Sequence, residues 1–316
     1  MDQPTQKIAF LFPGQGAQYV GMARDFVQNF SAARLTFEEA DQLLKRDLSK
    51  IILEGSEDEL TRTKNSQTAI FVASMAIFRV VKGLYGFHPF ACAGLSLGEY
   101  TALTAAECIE FRDALPLVQY RGEFMNQACE SFPGRMAVVT GLSNEVVEDL
   151  VAGLNLPDDL WIANYNCPGQ IVLSGTIKGI EIASLEARNR GAKRVLPLSV
   201  HGAFHSGLMK IAEEKLAPYI DEAPFKKGIT PIAMNVPGDF VVDFARLKPN
   251  LIKQVTHPVR WEQEIQAMKK QGVNLCIEFG PGRALAGMNK RMDLPTISIE
   301  KVEDLDRLAN LEKERK

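Results

Sequence analysis

The chain is short of the residue types that build metal centres, redox sites and disulfide frameworks. Its 316 residues hold five cysteines (Cys92, Cys108, Cys129, Cys167, Cys276) and four histidines (His88, His201, His205, His257). The cysteines are odd in number and scattered. That spacing excludes a disulfide scaffold and a zinc module, and it points to a reducing, cytoplasmic setting. The histidines show no ligand spacing, so no metal is expected. Neither sign of charge dominates, and a net charge of −3 excludes a general nucleic-acid binder. No uninterrupted apolar run of roughly 18 residues occurs, so no membrane span is expected. Met1–Lys7 leads into a strand-like run with no sign of a secretory signal. Repeats and low-complexity segments are missing too. What remains is an ordinary globular composition, sufficient for one large domain or two unequal ones.

The pattern along the chain is α/β, then something different, then α/β again. Residues 8–12 form a continuous apolar run, read as a buried strand, and end in the tight loop Pro13-Gly14-Gln15-Gly16. Helical patterns follow over 32–45 and 69–82, and a short strand over 89–93. A helix then carries Val118, Arg121 and Met125 on one face and breaks at Pro133-Gly134. Strands at 135–140, 161–165, 170–174 and 194–198 alternate with helices at 144–152 (Ser143 as N-cap) and 177–190. That β-α-β-β-α-β order is the ferredoxin-like split unit. The expected organisation is a large domain from 1–130 and 199–316, with a small inserted domain over 131–198. The large domain is read as α/β with a parallel sheet, with strands at 231–236, 274–279 and 296–299. Its helices are expected at 209–216, 247–255, 261–271 and 284–292. The charged segment 302–316 is read as an exposed helix or frayed tail.

The chemistry concentrates at Gly94-Leu95-Ser96-Leu97-Gly98, between the 89–93 strand and a helix beginning near Glu99. Strand, Gly-x-Ser-x-Gly, helix is the nucleophile elbow, and the plain alternative is an ordinary βα turn. A serine hydroxyl needs a base. His201 and His205 share the loop Ser199–Ser206, where the inserted segment rejoins the rest, and the residues alone leave both open. His88, before Pro89, and His257, at a helix end, suggest no role. Arg121 leaves a partly apolar helix face. It is either a structural cation or a planar fork for a substrate carboxylate. Gln15 lies in the loop after the first strand, at the carboxyl edge of the sheet. Its backbone N–H could join that of Leu97 as an oxyanion donor.

These residues also carry a resemblance. Phe12-Pro13-Gly14-Gln15-Gly16-Ala17-Gln18, the elbow with Glu99-Tyr100, and Arg121-Gly122-Glu123 come first. Ala163–Gln170, Gly202-Ala203-Phe204-His205-Ser206, Pro258-Val259-Arg260-Trp261 and Glu278-Phe279-Gly280-Pro281-Gly282 follow in order. Together they resemble the malonyl-CoA:acyl carrier protein transacylases and the acyltransferase domains of polyketide and fatty-acid synthases. The resemblance implies an α/β-hydrolase-like fold with a ferredoxin-like insert, and ping-pong transfer of malonyl to the phosphopantetheine thiol of acyl carrier protein. It makes Ser96 the nucleophile, His205 rather than His201 the base, and Arg121 the carboxylate clamp. The oxyanion donors are then Gln15 and Leu97, and the backbone carbonyl of Gln254 orients the base. No cofactor is implied and a monomer is expected.

Three positions depart from the family pattern. Leu95 stands where histidine is common, His201 where a small residue is usual, and Thr68 in place of a helix-start proline. A discrete polyketide acyltransferase is the nearest alternative function, and a serine hydrolase or thioesterase the next. A non-catalytic binding module would leave the Ser96/His205 pair without a purpose. Arg188, Arg190, Lys193 and Arg194 form the densest basic cluster, read either as a carrier-protein contact or as a solvated helix end.

Overall fold

A computed structural model describes residues 6–200 and 202–315, the last two of these by backbone alone. Met1–Thr5 and His201, both named above, lie outside the described residues. The strands in chain order are β1 (Ile8–Phe12), β2 (Ala91–Gly94), β3 (Gly134–Thr140), β4 (Leu160–Cys167), β5 (Gln170–Thr176) and β6 (Arg194–Pro197). They are followed by β7 (Ala233–Met234), β8 (Asp239–Phe240), β9 (Leu275–Phe279) and β10 (Thr296–Ile299).

β1, β2, β9 and β10 form a parallel sheet in the order β10-β9-β1-β2. Every residue of β1 is buried, as a strand covered on both faces requires. Phe10 and Phe12 face one helical layer, where they meet Phe78 and Phe279 edge-on or stacked. Ala9 and Leu11 face the other layer, with Trp261 and Ile265. Helix Thr63–Leu84 is long and apolar enough to span a membrane by length and composition. With 78% of its most apolar stretch buried, it is the spine of the first layer.

The four strands between residues 134 and 197 make an antiparallel sheet ordered β4-β5-β3-β6. That is the ferredoxin-like order expected from the β-α-β-β-α-β pattern. Ala137, Val139, Leu173 and Val195 pack under helices Asn144–Leu154 and Ile177–Asn189 on one face. Ser143 caps the first of these helices, accepting from Val146 N. The other face, with Met136 and Val172, joins the large core. Beyond these side chains β4 is tied by backbone to the segment that leads into helix Trp261–Lys270. Tyr165 N donates to Val259 O at 2.9 Å and Val259 N to Ala163 O at 2.8 Å, a single parallel bridge.

Three expectations are corrected. The 231–236 strand reduces to the two-residue β7. The chain reverses at 235–238, with Gly238 at φ 64° bonding back to Met234 O, and β8 pairs antiparallel. Thr68 is not at a helix start, because its helix begins at Thr63 and places it in the second turn. There its hydroxyl donates to Asn65 O and accepts from Arg46. The C-terminal segment is not a frayed tail. Helix Leu305–Arg315 buries Leu305, Leu308 and Leu311, spaced to face the core while the charges face water. Leu308 has no exposed surface. Leu308→Ala should cost about 2–4 kcal/mol through lost burial and a cavity. It should lower the urea midpoint at constant m-value; an unchanged midpoint would mean that the helix is not part of the cooperative core.

Candidate active site

β1 and β2 are parallel neighbours, paired from Ala9–Ala91 to Phe12–Gly94, so the loops that follow them emerge side by side. Leu95 N donates to Phe12 O at 3.0 Å. A methyl group on Gly98 would overlap the carbonyl oxygens of Phe12 and Pro13, and one on Gly94 would overlap Gly98 itself. The spacing of the two glycines is therefore a packing requirement of the elbow. Ser96 sits at the turn with φ 53°, a left-handed conformation that costs a non-glycine residue on the order of 1–3 kcal/mol. Helix Gly98–Ala105 starts directly beyond it, with Leu97 as its N-cap.

Ser96 Oγ lies 2.8 Å from Nε2 of His205. The opposite ring nitrogen, Nδ1, is 2.8 Å from the backbone oxygen of Gln254 and 3.2 Å from that of His257. Carbonyl oxygens only accept, so Nδ1 carries the proton and Nε2 is the free base facing the hydroxyl. His205 is 4% exposed. Burial first, and the Arg121 charge second, push its pKa down to about 4. His88 and His257 are exposed, and His257 contributes through its backbone rather than its ring.

Arg121 is 1% exposed and rises from helix Phe111–Ser131 with Val118 and Met125 buried beside it. Its Nη2 donates to Ser96 Oγ at 2.9 Å and to Gln254 Oε1 at 3.0 Å, and its Nη1 to Gln67 Oε1 at 2.6 Å. The guanidinium carbon stands 5.7 Å from the Tyr100 ring centroid. Among the ion pairs of the described residues, none within 4.0 Å involves Arg121, and its Nε has no hydrogen-bond partner. A buried cation held only by neutral groups can accept an anion.

Gln15 is half-buried on the loop beside the elbow, its side chain donating to Thr63 Oγ1 at 3.4 Å. Leu97 is buried, and the first N–H groups of a helix have no intrahelical acceptor. Gln254 is buried and supplies both the carbonyl under His205 and an amide reaching Ser96 O at 2.9 Å. Leu95 is half-buried against the Trp261 side of the core. Arg188, Arg190, Lys193 and Arg194 are exposed and far along the small sheet and its helices. Sequence reasoning missed Gln67, Glu99, Asn235 and Glu264, all fully or almost fully buried beneath this site. Glu99 was visible as the residue after the elbow; the others had no local signal.

The acyl transferase domain model matches residues 9–237. The malonyl CoA-acyl carrier protein transacylase of Bacillus subtilis is 43% identical over 303 residues, 95% of each chain. The chain belongs to the malonyl-CoA:acyl carrier protein transacylase family. Solved members superpose closely. The acyl-carrier-protein S-malonyltransferase of Burkholderia pseudomallei has a TM-score of 0.91 at 40% identity, covering 96% of this chain and 99% of that one. PlMCAT, solved with the type II PKS acyl carrier protein AntF as its malonyl-transacylase, has a TM-score of 0.91 at 36% identity, covering 95% and 98%. The two-domain fold of this transacylase family member is therefore established independently of its site.

The His205 environment has a measurable signature. A base accepts a proton only while neutral, and this one stays neutral until the pH approaches about 4. Labelling of Ser96 by a fluorophosphonate should be level from about pH 8 to about pH 5 and fall as the pH nears 4. A midpoint near the ordinary histidine value of about 6.5 would show that the base is not desolvated as described.

Proposed function

We propose that this protein transfers the malonyl group of malonyl-CoA to the phosphopantetheine thiol of acyl carrier protein, through a malonyl ester on Ser96. The observation that carries the reading is Arg121. A fully buried guanidinium without a carboxylate partner touches the hydroxyl that would be acylated. In malonyl-serine the free carboxylate lies three bonds beyond Oγ. A group that reaches Oγ at 2.9 Å can reach that carboxylate once Oγ becomes an ester oxygen, which is a poor acceptor.

His205 Nε2 takes the Ser96 proton as Oγ attacks the thioester carbonyl. The developing oxyanion is held by the backbone N–H groups of Leu97 and Gln15, and coenzyme A leaves with the proton from His205. In the second half-reaction His205 deprotonates the carrier thiol, the thiolate displaces Ser96, and the proton returns to Oγ. Gln254 O orients the imidazole in the position that an aspartate fills in other serine enzymes. No cofactor takes part. The enzyme is read as a monomer, and the cysteines, free throughout and mostly buried, suit a cytoplasmic location. PlMCAT, solved with a type II PKS acyl carrier protein, illustrates the alternative acceptor class, a polyketide carrier. A panel of fatty-acid and polyketide carrier proteins separates the two.

Single-turnover mass spectrometry tests the scheme. Malonyl-CoA should give an adduct on Ser96 that holo carrier protein discharges quickly and water slowly. Rapid loss to water would make the protein a thioesterase. Ser96→Ala should form no adduct while retaining its fold. His205→Ala should slow acylation by roughly 10²–10⁴-fold.

Arg121 sets a second test. Arg121→Ala should lower kcat/KM for malonyl-CoA far more than for acetyl-CoA, because the wild-type cation is left unpaired by an uncharged acyl group. Arg121→Lys should recover only part of the preference, since an ammonium lacks the planar fork. An unchanged malonyl-to-acetyl ratio in Arg121→Ala would remove Arg121 from substrate selection.

A further inference from the structure

Beneath the elbow lies a polar layer that the mechanism above does not use. Asn235 is completely buried, on the turn after β7, 139 residues from Ser96 in sequence. Its side-chain oxygen accepts from Ser96 N at 2.8 Å and from Gln254 Nε2 at 3.1 Å. Its side-chain nitrogen donates to Gly94 O and to Glu264 Oε1, each at 2.8 Å. Both acceptor sites and both donor hydrogens of the amide are thus taken, which fixes its orientation. Its backbone is held as well: Asn235 N donates to Glu99 Oε1 at 2.8 Å and Asn235 O accepts from Arg260 N at 3.0 Å.

The two peptide groups of the strained residue are therefore gripped by two side chains that also bond each other. Asn235 holds Ser96 N, and Gln254 holds Ser96 O at 2.9 Å. A left-handed serine persists only where its surroundings over-determine it. The same grip occupies the Ser96 N–H while Oγ faces His205 at 2.8 Å. Glu264 stands behind Asn235 on helix Trp261–Lys270, fully buried, and touches no reacting group. Burial first, and the neighbouring Glu99 carboxyl second, push its carboxyl well above the ordinary range, so it serves as a neutral hydrogen-bond acceptor.

We propose that Asn235 is a positioning residue for the Ser96 nucleophile, and that Glu264 acts through it by fixing the amide's orientation. The proposal rests on the reading of Ser96 as nucleophile. Aspartate could not replace Asn235, having no hydrogens for Gly94 O and Glu264. Glutamine could replace Glu264, being a neutral isostere with the same acceptor. Methionine could not, although it fills a similar volume.

The test uses the full chain and two reagents. A fluorophosphonate reports the reactivity of Ser96 without any malonyl group, and malonyl-CoA reports kcat and KM. Misplacing a reacting atom by about 1 Å costs about 10²-fold. Asn235→Ala and Glu264→Met should each slow phosphonate labelling of the folded protein by about that factor. Their loss with malonyl-CoA should fall on kcat with KM nearly constant, because neither side chain bonds Arg121 itself. Glu264→Gln should stay within about threefold of the parent, a difference of about 0.65 kcal/mol. Folding is checked by circular dichroism and Tm; should Asn235→Ala not fold, the Glu264 pair decides alone. Parent-like labelling in Glu264→Met would overturn the proposal, and so would equal losses in Glu264→Gln and Glu264→Met. Phosphonate labelling of the parent without malonyl transfer would sink the functional reading instead and leave this test standing.

Discussion

The parallel pairing of β1 with β2 is the constraint on which the remaining geometry hangs. It places the Pro13–Gly16 loop and the elbow at one sheet edge, close enough that a single methyl at Gly98 would collide with the first loop. Everything else is delivered to that edge from a distance. Arg121 arrives on a helix packed over the first layer, His205 on the segment after β6, and Gln254 and Asn235 on turns of the C-terminal half. The strand pair is short and apolar, and it is buried on both faces. Its register therefore cannot slip without sending phenylalanines into the layer already filled by Trp261 and Ile265.

Electrostatically the site is built around one buried positive charge with little to neutralise it. The nearest acidic side chain in the hydrogen-bond network, Glu99, has its pKa pushed up to about 8, chiefly by burial, so at neutral pH it is largely uncharged. The cation therefore acts on what remains. It helps to depress the pKa of His205, keeping the imidazole neutral, and it donates to the Ser96 hydroxyl that faces that ring. Burying an unpaired guanidinium is costly to stability. A site that binds an anionic acyl group recovers that cost only when the right substrate is present.

Much of this could be read from residues in order. The elbow is legible because glycine spacing, a preceding apolar run and a following helix are all local. The ferredoxin-like unit is legible because its alternation of elements is regular. Arg121 draws attention because a cation on an apolar helix face is unusual. What sequence could not resolve depended on distant backbone. The His205 ring is oriented by the carbonyls of Gln254 and His257, and a carbonyl has no residue identity to read. Asn235 and Glu264 are invisible for the same reason, since their partners lie far along the chain. The burial of the C-terminal helix is not legible because composition counts its charges, while burial depends on the spacing of three leucines.

The bridge between Val259 and β4 bears on how this molecule moves. Val259 lies two residues beyond His257 and five beyond Gln254, the pair whose carbonyls hold the base. Any swing of the antiparallel sheet away from the parallel one would pull on that stretch first and would tilt the Nδ1 end of the imidazole. A clamshell cycle would thus disarm the enzyme each time it opened. Traffic of long, flexible thioester arms is better served by a fixed frame, with the arms themselves supplying the mobility.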